Sequence, residues 1–132
     1  MNKPKPKKQP SYSILIVDDD RDMCSSLMDV ISVDSDYEVS VSSHPKKAVE
    51  MVRKNDYSLV IIDYKMPEMN GLEAVKAMRD IRPSLRVIML TAFLSAELVD
   101  DARNVGIITV LSKFIWPDEL LRQISSALSR IA

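Results

Sequence analysis

Short apolar runs alternate with helix-period segments along the chain, and this alternation restricts the fold more than any other feature. The apolar runs fall at residues 12–17, 37–41, 58–62, 86–90 and 107–111. Segments whose apolar residues recur at helical spacing follow at residues 21 to about 33, 45–54, 72–81, 95–104 and 117–131. Because a short apolar run predicts a strand and a helical period predicts a helix, the sequence predicts five consecutive βα units.

The predicted strands also indicate how they are arranged. Residues 14–17 and 59–62 are apolar without interruption, which is typical of parallel strands covered by helices on both faces. Connections between parallel strands are right-handed, and this favours a doubly wound α/β sheet. We predict a five-stranded parallel sheet with strand order 2-1-3-4-5 and five helices, with the first and third strands together at its centre.

Charge and cysteine content limit the domain organisation and the compartment. With 132 residues, 46% of them apolar, the chain suits one domain with one core. Lysines cluster in the first eight residues, so we expect a disordered basic tail at residues 1–10 and a domain at residues 11–132. The sequence shows no membrane-length apolar run and no signal-peptide pattern, and its single cysteine, Cys24, favours a reducing cytoplasm.

Acidic residues follow two of the predicted strands at the point where each strand ends. Asp63 follows the run at residues 59–62, and Asp18, Asp19 and Asp20 follow the run at residues 14–17. Neighbouring parallel strands would bring these acids to one edge of the sheet, where clustered carboxylates repel unless a cation lies among them. The pattern predicts a Mg²⁺ pocket beside one reactive aspartate, although acids after a strand also cap helices, which is our interpretation of Asp20.

Thr91 and Lys113 follow the fourth and fifth predicted strands, so both belong to the same edge. Each residue type at this edge serves phosphoryl transfer. A carboxylate can act as the nucleophile that forms an acyl phosphate, and a lysine and a hydroxyl can bind the phosphoryl oxygens that a metal ion leaves free.

Four motifs at these strand ends resemble the response-regulator receiver domain of two-component signalling. They are ILIVDDD at residues 14–20, DYKMPEMNG at 63–71, LTA at 90–92 and SK at 112–113. Each motif alone is weak, but all four occur in order, each at a strand end, and the resemblance covers residues 12–131. It implies a flavodoxin-like fold.

The resemblance also implies a role for each residue of the motifs. Asp63 would be the phosphoacceptor and would share the Mg²⁺ ion with Asp19, which binds it directly, and with Asp18, which assists through water. Lys65 would give its backbone carbonyl to the metal, so its side-chain type is free to vary. Thr91 would hydrogen-bond the phosphoryl group and be drawn inward.

Lys113 would pair with Asp63 or its phosphate, but the chain departs from the family pattern close to this lysine. Phe114 stands where receivers usually carry a proline with a cis bond, and a cis bond is costly without proline. We therefore expect a trans bond, which leaves the position of the Lys113 ammonium open. Val110 stands where the family usually has an aromatic coupled to the threonine, so the usual switch is weakened or built differently.

The region around the fourth helix, fifth strand and start of the fifth helix is rich in apolar residues: Phe93, Leu94, Ile108, Val110, Phe114, Ile115 and Trp116. One hypothesis is that this face, including Val110, Phe114 and Trp116, binds a partner or a second copy of the chain. The alternative is that these side chains merely close the edge of the sheet.

The predicted function is a phosphorylation-controlled protein-interaction switch. A histidine kinase or histidine phosphotransfer protein would supply the phosphoryl group, and a downstream output protein or domain would respond. We expect no direct nucleic-acid binding, no membrane association, and no enzymatic activity beyond self-catalysed phosphorylation and dephosphorylation of the aspartate. Whether the chain is a stand-alone regulator or part of a longer protein stays open.

Two other functions fit part of the sequence pattern. A pseudo-receiver would bind a partner without phosphorylation, and the Val110 and Phe114 departures favour it. A Mg²⁺-dependent phosphohydrolase would need an acid two residues after its nucleophile, where this chain has Lys65. With two glycines and one histidine, His44, the chain also lacks a glycine-rich phosphate loop and a histidine-based site.

Overall fold

The computed structural model describes residues 10–129, in which five strands alternate with five helices. The strands are β1 (Tyr12–Val17), β2 (Tyr37–Ser42), β3 (Leu59–Ile62), β4 (Val87–Thr91) and β5 (Thr109–Ser112). The helices are α1 (Arg21–Ile31), α2 (Pro45–Lys54), α3 (Gly71–Ile81), α4 (Ala96–Asn104) and α5 (Pro117–Ser129). Except for Pro10, the predicted basic tail lies outside the described residues, as does the predicted end of the last helix at residue 131.

The strands form one parallel sheet in the order β2-β1-β3-β4-β5, which confirms the predicted topology. Val17 at the end of β1 pairs with Ile62 at the end of β3, and Thr91 at the end of β4 pairs with Ser112 at the end of β5. Because all strands run the same way, their carboxyl ends meet at one edge of the sheet. The residues that follow the strands are therefore brought together by topology.

Each face of the sheet carries its own layer of core. On one face, Leu15 of β1 and Ile62 of β3 pack with apolar residues of α2, α3 and α4. On the other, Ile16 and Ile61 pack with residues of α1 and α5, including the buried Cys24. Burying one such aliphatic side chain contributes roughly 1.5–3 kcal/mol, so a strand buried on both faces holds its end rigidly.

Side-chain caps mark the starts of helices α1, α3 and α4. The Asp20 carboxylate accepts hydrogen bonds from the N–H groups of Asp22 and Met23, which is the helix-starting role expected for it. Asn70 and Glu73 form a reciprocal capping box at the start of α3, and Ser95 caps α4. His44 is exposed at the start of α2, where its side chain forms no cap.

The predicted start of the fifth strand and the predicted end of the first helix are wrong, each for its own structural reason. The fifth strand begins at Thr109 rather than residue 107, because Ile107 N–H donates to the Ala102 carbonyl at the end of α4 (3.0 Å). Helix α1 ends at Ile31 rather than near residue 33, because the chain turns after Ser32 and leaves Val33 83% exposed. Within residues 10–129, no helix has the length and apolar character to cross a membrane.

Candidate functional site

Four residues of the predicted site lie where the strands end. Asp18 follows β1, Asp63 follows β3, Thr91 is the last residue of β4, and Lys113 follows β5. Backbone hydrogen bonds extend the sheet through them: Asp18 N–H to Ser42 (3.2 Å), Asp63 N–H to Val17 (2.9 Å) and Lys113 N–H to Thr91 (2.9 Å). The backbones of Asp18, Asp63 and Lys113 are therefore each fixed to a neighbouring strand.

The Lys113 ammonium bridges the two buried acids. Its Nζ lies 2.7 Å from Asp18 Oδ2 and 3.0 Å from Asp63 Oδ2. The Lys113–Phe114 peptide bond is trans, as expected, yet the ammonium reaches both carboxylates. The Ser112 hydroxyl accepts from Phe114 N–H (3.1 Å) and the Ser112 carbonyl accepts from Ile115 N–H (3.0 Å), which stabilises the turn that follows the lysine. A proline is therefore not required to place this side chain.

The second oxygen of each acid is held by the backbone. Asp18 Oδ1 accepts from Asp20 N–H at 3.0 Å, and Asp63 Oδ1 accepts from Tyr64 N–H at 2.8 Å. Hydrogen bonds to an ionised carboxylate are shorter and stronger than neutral ones. They orient both side chains, with the Oδ2 atoms toward Lys113.

Burial and pairing act in opposite directions on the charges of the site. Burial raises the pKa of Asp18, and the charge of Asp63 adds to this effect, while hydrogen bonds from Lys113 and Asp20 only partly offset it. Burial alone would lower the pKa of Lys113, but hydrogen bonds to both acids outweigh it and raise that pKa. The pKa values of Asp18 and Lys113 are both raised for one structural reason. A single ammonium pairs with two carboxylates that have lost much of their contact with water.

The acids suit a hard divalent cation. One carboxylate oxygen from each of Asp18, Asp19 and Asp63 lies within 4.8 Å of the others, and Asp19 is exposed at the rim while its two partners are buried. Mg²⁺ prefers one or two carboxylates and several waters, and the exposed side of this cluster leaves room for water. The residues present therefore fit the magnesium ion that the sequence predicts.

Lys65 lies in the loop after β3 with its side chain exposed. Its Nζ lies 4.6 Å from the centroid of the Phe93 ring, a contact that no sequence pattern predicts. Thr91 is fully buried, and its Oγ1 accepts from Phe93 N–H at 3.1 Å. Phe93 therefore contacts Lys65 in the loop after β3 and Thr91 at the end of β4.

Gly71, the last residue of the DYKMPEMNG motif, supports the site through its backbone. Its N–H donates to the Tyr64 carbonyl at 2.6 Å. A Cβ at this position would collide with the Asp63 carbonyl oxygen and would lie 2.9 Å from Met89 Cε. The start of α3 thus packs directly against the backbone of Asp63, and only glycine fits there.

The apolar residues around β5 fall into two groups. Val110 is half-buried against the core beneath α4, and Ile108 and Ile115 are half-buried against the opposite layer. Four others are exposed: Phe93 (56%), Leu94 (51%), Phe114 (84%) and Trp116 (81%). These four, the rim patch, lie in the loops after β4 and β5, at the same edge of the sheet as Asp63.

Comparison with known proteins agrees with this geometry. The family model of the response regulator receiver domain matches residues 14–125. The transcriptional regulatory protein ZraR of Escherichia coli K12 is 31% identical over 119 residues, covering 90% of this chain and 27% of that protein. Sporulation initiation phosphotransferase F of Bacillus subtilis is 31% identical over 107 residues, covering 81% of this chain and 86% of that protein.

A solved structure shows the same architecture. The CheY-like receiver domain protein of Methanospirillum hungatei JF-1 superimposes with a TM-score of 0.85 at 28% identity, covering 90% of this chain and 94% of that one. The chain spans only 26–27% of the length of its ZraR relatives, so it corresponds to one domain of those proteins. The chain belongs to the response regulator receiver domain family.

Proposed function

We propose that this chain accepts a phosphoryl group on Asp63 and acts as a phosphorylation-controlled protein-interaction switch. A histidine kinase or a histidine phosphotransfer protein would be the donor. The observation that carries the proposal is the pairing of a buried Asp63 with Lys113 at 3.0 Å, beside two further acids that suit a metal ion. The site contains a nucleophile and a cation for the incoming phosphoryl group.

The transfer replaces one bond to phosphorus with another. An Asp63 carboxylate oxygen attacks the phosphorus of a phosphohistidine, the O–P bond forms, and the P–N bond breaks with its electron pair left on the imidazole nitrogen. Lys113 offsets the charge of the phosphoryl oxygens, and the Thr91 hydroxyl donates to one of them. When water later attacks phosphorus, the bond between the Asp63 oxygen and phosphorus breaks, inorganic phosphate is released and the Asp63 carboxylate is restored.

Asp18, Asp19, Asp63 and the Lys65 carbonyl are the groups that would hold Mg²⁺. When bound, the ion neutralises the oxygens of the transferring group. Asp18 and Lys113 would have complementary tasks, because Asp18 would give up its share of the ammonium if it helped to hold the metal. Lys113 is then available to Asp63 and its phosphoryl group.

The output is a change in the surface next to the site. Phosphorylation adds negative charge at Asp63, and this draws Thr91 and Lys113 toward the phosphoryl oxygens. The rim patch adjoins both, so we propose that it and the face of α4, β5 and α5 contact an output protein or domain, or a second copy of the chain. We propose action in the cytoplasm, without direct DNA binding and without catalysis on a separate substrate.

Intact mass spectrometry tests the proposal directly. The protein is incubated with acetyl phosphate, with and without Mg²⁺, beside Asp63→Ala and the control Asp22→Ala, which removes an exposed acid of α1. We expect a phosphoryl adduct that needs Mg²⁺, survives in Asp22→Ala and is lost in Asp63→Ala. Beryllofluoride, a stable phosphate mimic, distinguishes slow uptake from none.

A pseudo-receiver that binds partners without phosphorylation is the second candidate, and Val110 and Phe114 are the observations that favour it. Absence of an adduct, of beryllofluoride binding and of Mg²⁺ binding would establish it in place of the switch. The position of Lys113 counts against it, because the ammonium lies between Asp18 and Asp63 even though Phe114 has replaced the usual proline.

A further inference from the structure

The Lys65 ammonium and the Phe93 ring form a contact beside the phosphoryl-acceptor site. Lys65 comes two residues after Asp63, and Phe93 comes two residues after Thr91. Their side chains connect the loops after β3 and β4, which are neighbouring strands. A cation over the face of an exposed ring is attracted only weakly, so this contact can be exchanged for a stronger one.

The backbone of Phe93 makes a second contact, with the Thr91 side chain. Its N–H donates to Thr91 Oγ1 at 3.1 Å. Phe93 therefore depends on an ammonium and on a hydroxyl, and both groups bind phosphoryl oxygens more strongly than they bind a ring or an amide. With 56% of its surface exposed, Phe93 has no deep packing that would keep it in place once these contacts are lost.

We propose that the Lys65 side chain is a second cation for the phosphoryl group on Asp63, held on the Phe93 ring until that group arrives. The inference rests on the proposed phosphorylation of Asp63. Replacing a carboxylate by an acyl phosphate adds about one negative charge to the site. Lys113, which lies 3.0 Å from Asp63 Oδ2, brings only one positive charge, so a second ammonium two residues from Asp63 moves to the added charge.

The movement of Lys65 releases Phe93. The ring loses its cation, and the Thr91 hydroxyl turns from Phe93 N–H toward the phosphoryl oxygen. Phe93 and the neighbouring Leu94, which is 51% exposed, then rearrange within the rim patch. This route connects the phosphoryl group to the surface without an aromatic at Val110.

The amino-acid composition makes the inference easy to test. The chain has two phenylalanines, so uniform labelling with 4-fluorophenylalanine gives one ¹⁹F signal for Phe93 and one for Phe114. A Phe114→Leu sample assigns them. We expect beryllofluoride and Mg²⁺ to move the Phe93 signal and to leave the Phe114 signal, from a ring that is 84% exposed, much closer to its starting position.

The variants separate the ammonium from the loop. In Lys65→Met the Phe93 signal should already be displaced at rest and should move less than half as far with beryllofluoride. Lys65→Arg should restore the response, because a guanidinium also lies over rings and binds phosphoryl oxygens. Lys76→Met, which removes an exposed lysine of α3, should behave as wild type.

Failure of this inference differs from failure of the proposed function. A Phe93 signal that moves equally in wild type and Lys65→Met would overturn the role of Lys65. The same conclusion follows if beryllofluoride binds and the Phe93 signal does not move. If beryllofluoride does not bind, shown by a wild-type ¹⁹F spectrum with no bound-beryllofluoride signal beyond that of Asp63→Ala, both the proposed function and this inference fall.

Discussion

The Lys113 ammonium lies closer to Asp18 than to Asp63, at 2.7 Å from the first Oδ2 and 3.0 Å from the second. Asp18, which is proposed only as a metal ligand, therefore has the shorter contact with Lys113. Asp63, which is proposed as the nucleophile, has the longer one. Under the proposed function, holding a metal ion at Asp18 would leave the ammonium free for Asp63. Metal binding would then be coupled to the charge that faces the incoming phosphoryl group.

Removing the lysine should destabilise the protein and make it depend on magnesium. Lys113→Met leaves two buried carboxylates without their shared cation, and we expect the free energy of unfolding to fall by about 3 kcal/mol. Mg²⁺ should recover part of this loss, because it supplies positive charge to the same acids. Urea unfolding with and without Mg²⁺ measures both effects, with Lys76→Met as an exposed control; a loss below about 1 kcal/mol would contradict the shared role.

Asp18→Asn should stabilise the metal-free protein above acidic pH. Burial raises the pKa of Asp18 above its ordinary value of 3.8, so the folded state holds its proton more tightly than the unfolded state. The stabilisation of the folded state by the proton on Asp18 is complete below pH 3.8. It is lost as the pH rises through the raised pKa of the folded state. At neutral pH the asparagine variant avoids this loss, and we expect a gain of about 1 kcal/mol.

The measurement is the free energy of unfolding against pH in the presence of EDTA. The difference between Asp18→Asn and wild type should grow as pH rises from 3.8 toward neutrality. Added Mg²⁺ should stabilise wild type more than the variant. A difference that is constant with pH would show that Asp18 does not titrate differently on folding.

Gly71→Ala should disturb the Asp63 site. Its Cβ would collide with the Asp63 carbonyl and approach Met89 Cε, so the backbone of Asp63 must move. We expect a loss of about 2 kcal/mol in stability. Phosphoryl uptake from acetyl phosphate should slow by roughly 100-fold, since small displacements of reacting groups are that costly.

Gly106→Ala is the matched control. Gly106 has φ +81°, so alanine there is strained and should cost about 1–2 kcal/mol, but the atoms nearest to its Cβ would belong to the Arg79 side chain. The uptake rate should stay within a factor of about two, because reacting groups at Asp63 are not displaced. Equal slowing in both variants would mean that stability, rather than the position of Asp63, controls the rate.

Trp116→Glu should separate association from folding. Trp116 is 81% exposed, so the free energy of unfolding should change by no more than about 0.5 kcal/mol. If the rim patch forms an interface, sedimentation in the presence of beryllofluoride should show loss of self-association, or titration should show loss of output binding. Val33→Glu, at an equally exposed apolar residue far from the patch, should change neither. Unchanged complex size and affinity in Trp116→Glu would exclude this tryptophan from the interface.

The sheet and the convergence of its acids were predictable because both follow from strand order. Once β1 and β3 are neighbours, Asp18 and Asp63 must lie at one edge. The start of β5 was not predictable from its apolar pattern, because Ile107 gives its N–H to the end of α4 instead of the sheet. The apolar character of a residue indicates that its side chain is buried. It does not indicate which carbonyl accepts the hydrogen bond from its backbone N–H.

The details of the site depended on loops, where local sequence carries less information. The Lys113 ammonium could not be placed without knowing the turn that Ser112 stabilises. The contact of Lys65 with Phe93 joins two segments whose sequences give no sign of each other. For both, the deciding quantity is a backbone conformation set by three-dimensional packing.

The surroundings of Cys24 have a practical consequence for labelling. Its thiol is buried and donates to the Asp18 carbonyl at 3.2 Å. Burial raises the pKa of this thiol above its ordinary value. Because the chain has no other cysteine, a thiol introduced by Val33→Cys in the turn before β2 would outcompete the native one for maleimide reagents. A spin label or surface linker attached there would sit at the amino-terminal edge of the sheet, leaving the Asp63 edge open to donors in solution.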